Sequence, residues 1–212
     1  WIRRDTSALV VTPYSEFIVM AEENTIFRDS LNRADLSLPD GIGILWAGMY
    51  LANPRMGLCE SLARILIQSQ MLYQVFPEKI SGSDLVYDIL NLAQQQKLRV
   101  FLLGGSDEVS QKLEEHFQEQ YSGVKVVGRF SGVAKIGDKA LYESIDQSRP
   151  DLIFTALSPP KQEIVGYELR EYLRAKGSKG VIVCLGGTFD FLVGNKQRAP
   201  RWLRNVGLEW LW

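Results

Sequence analysis

The chain has 212 residues, 24 of them basic and 25 acidic, and a net charge of −1 sets aside a general polyanion-binding or nucleic-acid role. Hydrophobic residues at 46% and charged residues at 23% exclude a disordered chain, and the length suits one large domain or a main domain with a small appendage. Cys59 and Cys184 form no C-x-x-C pair, which argues against a disulfide framework or a zinc site and suits a reducing cytoplasm.

In chain order, Trp1-Ile2-Arg3-Arg4-Asp5 lacks the apolar run of a signal peptide, and the absence of an initial Met reads as a trimmed end. Ala8-Leu9-Val10-Val11 is a short β-branched run that predicts a strand. Its exit, Thr12-Pro13-Tyr14-Ser15-Glu16, suits either a helix start, with Pro13 fixing the backbone and Ser15 capping, or a strand end that faces a ligand. In Leu38-Pro39-Asp40-Gly41-Ile42-Gly43, Asp40 sits on a turn where an acid is either part of an ordinary Asp-Gly bend or a general base within reach of a substrate. The uncharged stretch Gly41 to Asn53 is too short for a bilayer that needs ~20 apolar residues, so no transmembrane helix is expected. Between Ala47 and Phe76 a helical stripe of Leu62, Ile65, Leu66 and Leu72 fits either core packing or docking on a membrane or partner.

Beyond it, short apolar runs alternate with helical spacing. Val100-Phe101-Leu102-Leu103, Val124-Lys125-Val126-Val127, Leu152-Ile153-Phe154-Thr155 and Val181-Ile182-Val183-Cys184 read as strands, most of them too apolar to be half exposed. Asp84 to Lys97, Asp107 to Tyr121, Asp138 to Ser148 and Lys161 to Lys176 read as helices, three of which open on an acid suited to the positive helix end. The alternation predicts a parallel α/β sheet, whose ligands bind beyond the carboxyl ends of the strands. Gly104-Gly105-Ser106, Gly128-Arg129, Ser158-Pro159-Pro160-Lys161-Gln162 and Gly186-Gly187-Thr188 occupy those ends, small enough for backbone N–H groups to approach an anion. Lys161 and Gln162 can offer donors to a sugar or phosphate, although the segment also suits a plain helix opening. Cys184 reads as a core residue, and Asp190, between two phenylalanines, either binds ligand hydroxyls or caps backbone amides. In the tail, Arg198, Arg201 and Arg204 share one helical side while Trp and Leu form an apolar face, suited to packing on the sheet, to a lipid interface, or to both.

No G-x-x-x-x-G-K-[ST] loop, G-x-G-x-x-G fingerprint or D-x-D pair occurs, and the lone histidine, His116, falls in a polar helix. These absences weigh against nucleotide hydrolysis, nicotinamide chemistry, histidine triads and a metal-held diphosphate.

Seven segments in this order resemble the WecG/TagA/CpsF family of bacterial glycosyltransferases. They are Thr12-Pro13 with Glu16, Leu38 to Gly43, Gly82-Ser83-Asp84-Leu85, Val100 to Gly105, Pro160-Lys161-Gln162-Glu163, Gly186 to Phe191, and Arg198-Ala199-Pro200-Arg201-Trp202 with Leu208-Glu209-Trp210. The resemblance implies a Rossmann-like domain over residues 1–212 with a helical insertion at 47–78 and a C-terminal helix at 198–212. It implies a metal-independent, cofactor-free, inverting transfer of N-acetylmannosamine or a related sugar from a UDP-sugar to a polyprenyl-diphosphate-linked amino sugar. The product feeds teichoic acid or other envelope polysaccharide, and the enzyme sits peripherally on the inner face of the cytoplasmic membrane. By motif, Asp40 is the general base, Thr12 and Gln162 contact the donor, and Gly132 with Asp190 hold the nucleotide. Arg198 and Arg201 are candidates for stabilising the leaving UDP. Tyr14 stands where the family usually has Asn, the 47–78 segment is longer than usual, and the sequence stops before the usual basic tail. Those departures keep a rival open, a nucleotide-sugar binding module without catalysis. A scaffold anchored through Leu58 to Phe76 is a further rival, and the apolar segment could also pair subunits into a homo-oligomer.

Overall fold

In the computed structural model, which describes residues 6–195, the apolar runs become strands of one parallel sheet. These are β1 (Ser7–Val11), β2 (Leu36–Ser37), β3 (Arg99–Gly104), β4 (Lys125–Phe130), β5 (Leu152–Ala156) and β6 (Gly180–Cys184), in the order β2-β1-β6-β5-β3-β4. Alternate residues of the inner strands feed two cores. Val100, Leu102, Phe154 and Val183 pack on one face, Phe101, Leu103, Ile153 and Ile182 on the other. That is why these strands read as unbroken apolar runs, since a sheet covered on both faces leaves no polar side to alternate with.

Helices α5 (Gly82–Gln96) and α6 (Asp107–Gln120) cover the first face with Val86, Leu90, Leu113 and Phe117. Helices α7 (Lys139–Ser148) and α8 (Lys161–Lys176) cover the second with Leu141, Ile145, Val165, Leu169 and Leu173. Of the three expected acidic helix starts, only Asp138 caps with its own side chain, accepting from the Leu141 N–H at 3.0 Å. Ser106 caps α6 ahead of Asp107, and Asp84 lies inside the first turn of α5.

Several expectations change. The third expected strand, which becomes β4, is half exposed, because it is a sheet edge with a partner on one side only. At the opposite edge, two-residue β2 is too short to leave a periodic signal. Ser15 does not cap α1 (Ser15–Glu23); Tyr14 holds the cap position with extended backbone, and the Phe17 N–H already closes the turn on the Tyr14 carbonyl at 2.9 Å. Helix α2 (Thr25–Asn32) follows, capped by the Asn24 side chain.

The apolar excursion begins earlier than expected, with α3 (Ile42–Ala52), followed by α4 (Leu58–Ile67) and a 3₁₀ turn at Ser69–Tyr73. It builds a small core of its own from Leu45, Met49 and Leu72, with Trp46, Ile65, Met71 and Phe76 packed around it. The expected single stripe is broken because α4 ends at Ile67, leaving Leu62 exposed while Leu72 is buried from the following turn. Among the described residues, no helix is long and apolar enough to cross a membrane. A short α9 (Thr188–Leu192) follows β6, and the expected helix at 198–212 lies outside the described residues.

Candidate functional site

The site grows from the exit of β1. Past β2 the chain keeps parallel company with that exit: the Leu38 N–H donates to the Val11 carbonyl at 2.9 Å and the Asp40 N–H to the Pro13 carbonyl at 3.0 Å. This sets Asp40 beside Thr12 and Tyr14. A second clamp comes from the far end of the excursion, where the Ile80 N–H donates to the Pro39 carbonyl at 3.0 Å. The amino end of α5 thereby reaches the same place, and its Gly82 N–H donates to Asp40 Oδ2 at 3.4 Å. A side chain there would be tight, because a Cβ on Gly82 would stand 3.2 Å from Thr12 Oγ1. A helix amino end favours the negative charge of the Asp40 carboxylate.

Across a cleft of about 710 Å³ lie Gln162 in the first turn of α8 and the Gly186-Gly187 turn after β6. That volume falls within the range of small-molecule sites. The two sides of this wall are tied together, since the Gly186 N–H donates to Gln162 Oε1 at 3.0 Å. The Thr12 hydroxyl donates to the Cys184 carbonyl at 3.3 Å, joining the exits of β1 and β6. The Tyr14 ring packs on Phe17 with centroids 4.6 Å apart. Its hydroxyl is pushed up to about 12, first by burial and then by Glu16, whose carboxylate accepts its hydrogen bond. Tyr14 therefore stays a neutral donor committed to Glu16.

Six of the sequence-derived candidates thus line one cleft: Thr12, Tyr14, Asp40, Gln162, Gly186 and Gly187. Gly104, Gly105 and Gly132 form a second ledge at the ends of β3 and β4, where the Gly132 N–H donates to the Gly105 carbonyl at 3.2 Å. This ledge borders the crevice between β3 and β5, where the chain runs outward to β4 from one strand and the other way to β6 from the other. Such a topological switch point is the general ligand site of open α/β sheets. Gly104 has φ +106°, and a Cβ on it would stand 2.5 Å from the Ala156 carbonyl oxygen. Lys161 opens α8 and Asp190 lies in α9; both are half-buried and neither lines the first cleft. Arg198 and Arg201 lie outside the described residues. Cys184 is buried in the core, as read from its strand.

Sequence reasoning gave no role to Lys79, Ser81, Ser83 and Phe191, which also line the cleft. Lys79 and Ser81 carry no local signal, because long-range contacts such as the Ile80–Pro39 bond bring them to the cleft.

The description of the glycosyl transferase WecG/TagA/CpsF family matches residues 1–62 and 58–212. A relative from Bacillus spizizenii, named N-acetylglucosaminyldiphosphoundecaprenol N-acetyl-beta-D-mannosaminyltransferase, is 29% identical over the whole of this chain and 72% of its own length. A protein of the same name from Bacillus subtilis is 27% identical, over the whole chain and 73% of its own length.

Proposed function

The chain belongs to the WecG/TagA/CpsF family of glycosyl transferases, and from that premise we propose that it transfers N-acetylmannosamine or a closely related sugar from a UDP-sugar to an N-acetylglucosamine carried on a polyprenyl diphosphate. The observation that carries this reading is the meeting of the Asp40 carboxylate, the Gln162 amide and the Gly186-Gly187 turn in one cleft, at strand ends beside the Gly104-Gly105-Gly132 ledge. The whole chain acts as one catalytic domain in this reading.

Asp40 takes the proton of the acceptor hydroxyl as its oxygen attacks the anomeric carbon, and the bond from that carbon to the diphosphate breaks on the opposite face, so the product is inverted. A sugar hydroxyl is a weak nucleophile, and a positioned base contributes ~10²–10⁴-fold. The uridine half lies along the glycine ledge, with Gly132 and Asp190 beside it, and the diphosphate reaches Thr12, Gln162 and Gly187. At Gly132 and Gly187 nothing lies within 4 Å of where a side chain would begin, which suits close approach of a ligand.

Charge is the exacting requirement. Among the described residues, the cleft wall carries two carboxylates, Glu16 and Asp40, against one lysine, Lys79. A departing diphosphate needs more positive charge than that, set in place beforehand. Arg198 and Arg201 supply it in this reading, with no metal ion. The lipid-linked acceptor places the enzyme at the inner surface of the cytoplasmic membrane.

The test is a donor screen with the full-length protein, comparing UDP-N-acetylmannosamine, UDP-glucose and UDP-glucuronate with a short-chain lipid-diphosphate N-acetylglucosamine, with and without a chelator. Transfer from the first donor, unchanged by chelation, is expected. Saturable UDP binding without product from any donor would replace the enzyme with a binding module, and product only in the presence of a metal would overturn the proposed mechanism.

A further inference from the structure

Next to Gln162 lies a carboxyl group that the transfer reaction does not use. Glu163 is fully buried in the first turn of α8. Its Oε1 accepts from Gln162 Nε2 at 2.6 Å, and its Oε2 has no hydrogen-bond partner among the described residues. A buried carboxyl with an orphaned oxygen is expensive to keep, and a residue chosen for stability alone would be apolar here.

The geometry gives it a task. A glutamine amide can turn over, exchanging its oxygen and nitrogen, unless its partners distinguish the two ends. Gln162 is held at both: its oxygen accepts from the Gly186 N–H, and its nitrogen donates to Glu163. Since Gly186 belongs to the turn that forms the cleft wall, the chain Glu163–Gln162–Gly186 joins the start of α8 to the end of β6. We propose that Glu163 is a positioning residue that locks the Gln162 amide, and through it the Gly186-Gly187 turn, in the orientation that receives the donor diphosphate. This rests on the reading of the cleft as a UDP-sugar site.

Burial raises the Glu163 carboxyl to about 8, so at neutral pH it is predominantly uncharged. The titratable groups that face it are Tyr14, ahead of α1, and Cys184 on β6; burial pushes the Cys184 thiol up, and the Tyr14 hydroxyl is raised to about 12. Neither supplies a cation. Ionisation of Glu163 therefore puts an unneutralised negative charge directly behind the place assigned to a diphosphate.

Two substitutions separate position from packing. Glu163→Met keeps the volume and removes the acceptor, whereas Glu163→Gln keeps an acceptor oxygen for Gln162 and cannot ionise. In the full-length enzyme, Glu163→Met is expected to retain its unfolding temperature and lose on the order of 10–100-fold in kcat, the scale of a misplaced contact group. Glu163→Gln is expected to restore turnover to within about threefold of wild type, a small part of that loss. In the wild type the KM for the UDP-sugar rises as pH passes through about 8, and in Glu163→Gln it stays flat. If Glu163→Met turns over like the wild type, or Glu163→Gln keeps the wild-type pH profile, the positioning role is wrong although the transferase reading stands. Should Glu163→Met fail to fold, the pH profile of Glu163→Gln alone decides. A wild type that neither binds nor uses a UDP-sugar removes both readings together.

Discussion

Replacing Asp40 by Asn removes one negative charge and its capacity as a base. Volume and shape are kept, and an amide oxygen can still accept from the Gly82 N–H that reaches Asp40 Oδ2 at 3.4 Å. The backbone clamps on this turn, from Asp40 to Pro13 and from Ile80 to Pro39, involve no side chain and survive intact. The fold and the nucleotide ledge should therefore be kept, with unfolding free energy changed by no more than about 1 kcal/mol. Loss of a general base costs ~10²–10⁴-fold, which at about 1.4 kcal/mol per tenfold is roughly 3–5 kcal/mol of transition-state stabilisation. Initial rates at saturating donor and acceptor measure kcat, and calorimetric titration with UDP measures binding. The expected result is a kcat lowered by at least about a hundredfold with an unchanged UDP dissociation constant. A variant that turns over at the wild-type rate would show that Asp40 is an ordinary bend residue. One that loses UDP affinity in proportion to its rate would show that Asp40 binds the donor and does not act as the base.

Three further outcomes follow from contacts elsewhere. Asp35 accepts from the Leu9 N–H at 2.9 Å, from Arg170 at 2.8 Å and from Arg174 at 2.7 Å, and Arg170 is only 3% exposed; Asp35→Ala removes one carboxylate from a buried guanidinium that keeps Glu171 and the Arg33 carbonyl, and should cost about 2 kcal/mol in urea unfolding. Burial alone would raise the Asp35 carboxyl, but the Leu9 amide and the two arginines outweigh it and hold it below the usual carboxylate range. Its contribution is thus complete above the ordinary aspartate range and is lost as pH falls through the depressed native value; acid unfolding of Asp35→Ala should lack that component. Gly104→Ala meets the Ala156 carbonyl at 2.5 Å with φ +106° and should lower stability by more than about 2 kcal/mol, whereas Gly187→Ala has open space and should leave unfolding unchanged while weakening UDP binding roughly tenfold, both readable by thermal melts and titration. His116→Ala, on α6 away from the cleft, should leave turnover within about twofold of wild type.

How much the sequence discloses depends on how local each signal is. The five longer strands and helices α5 to α8 were legible, because a buried strand or an amphipathic helix writes its period into consecutive residues. Strand β2 was not, since two residues carry no period, and neither was the break between α4 and the following 3₁₀ turn, since apolar residues at Leu62, Ile65 and Leu72 look alike whether one helix or two elements present them. At the site, Thr12, Asp40, Gln162 and Gly186 were found because strand exits can be located from the strands themselves. Lys79 and Ser81 were missed because long-range contacts fix their place, among them the backbone bond from Ile80 to Pro39. The orphaned oxygen of Glu163 is equally invisible in sequence, where an acid in the first turn of a helix passes for a response to the helix dipole.

The Ile80–Pro39 bond also changes what the apolar excursion is. A helical insertion at 47–78 suggests an appendage hung on a finished site, free to serve a membrane or a partner. In the structure both of its ends are built into the cleft. Gly41, Ile42 and Gly43 line it at the start of α3, where a Cβ on Gly43 would stand 3.1 Å from Ser15 Cβ, and Lys79, Ser81, Gly82 and Ser83 line it where the chain returns into α5. Between those ends, α3, α4 and the 3₁₀ turn hold together through Leu45, Met49 and Leu72, and Trp46 Nε1 donates to Ser61 Oγ at 3.1 Å. A packed unit of this kind fixes the distance between its two ends far better than a flexible loop of the same length. The excursion therefore joins the Asp40 turn to the amino end of α5, whose Gly82 amide returns to the Asp40 carboxylate. Its exposed apolar residues, such as Leu51 and Ile67, remain outside that task, while its internal packing is part of how the candidate base is held.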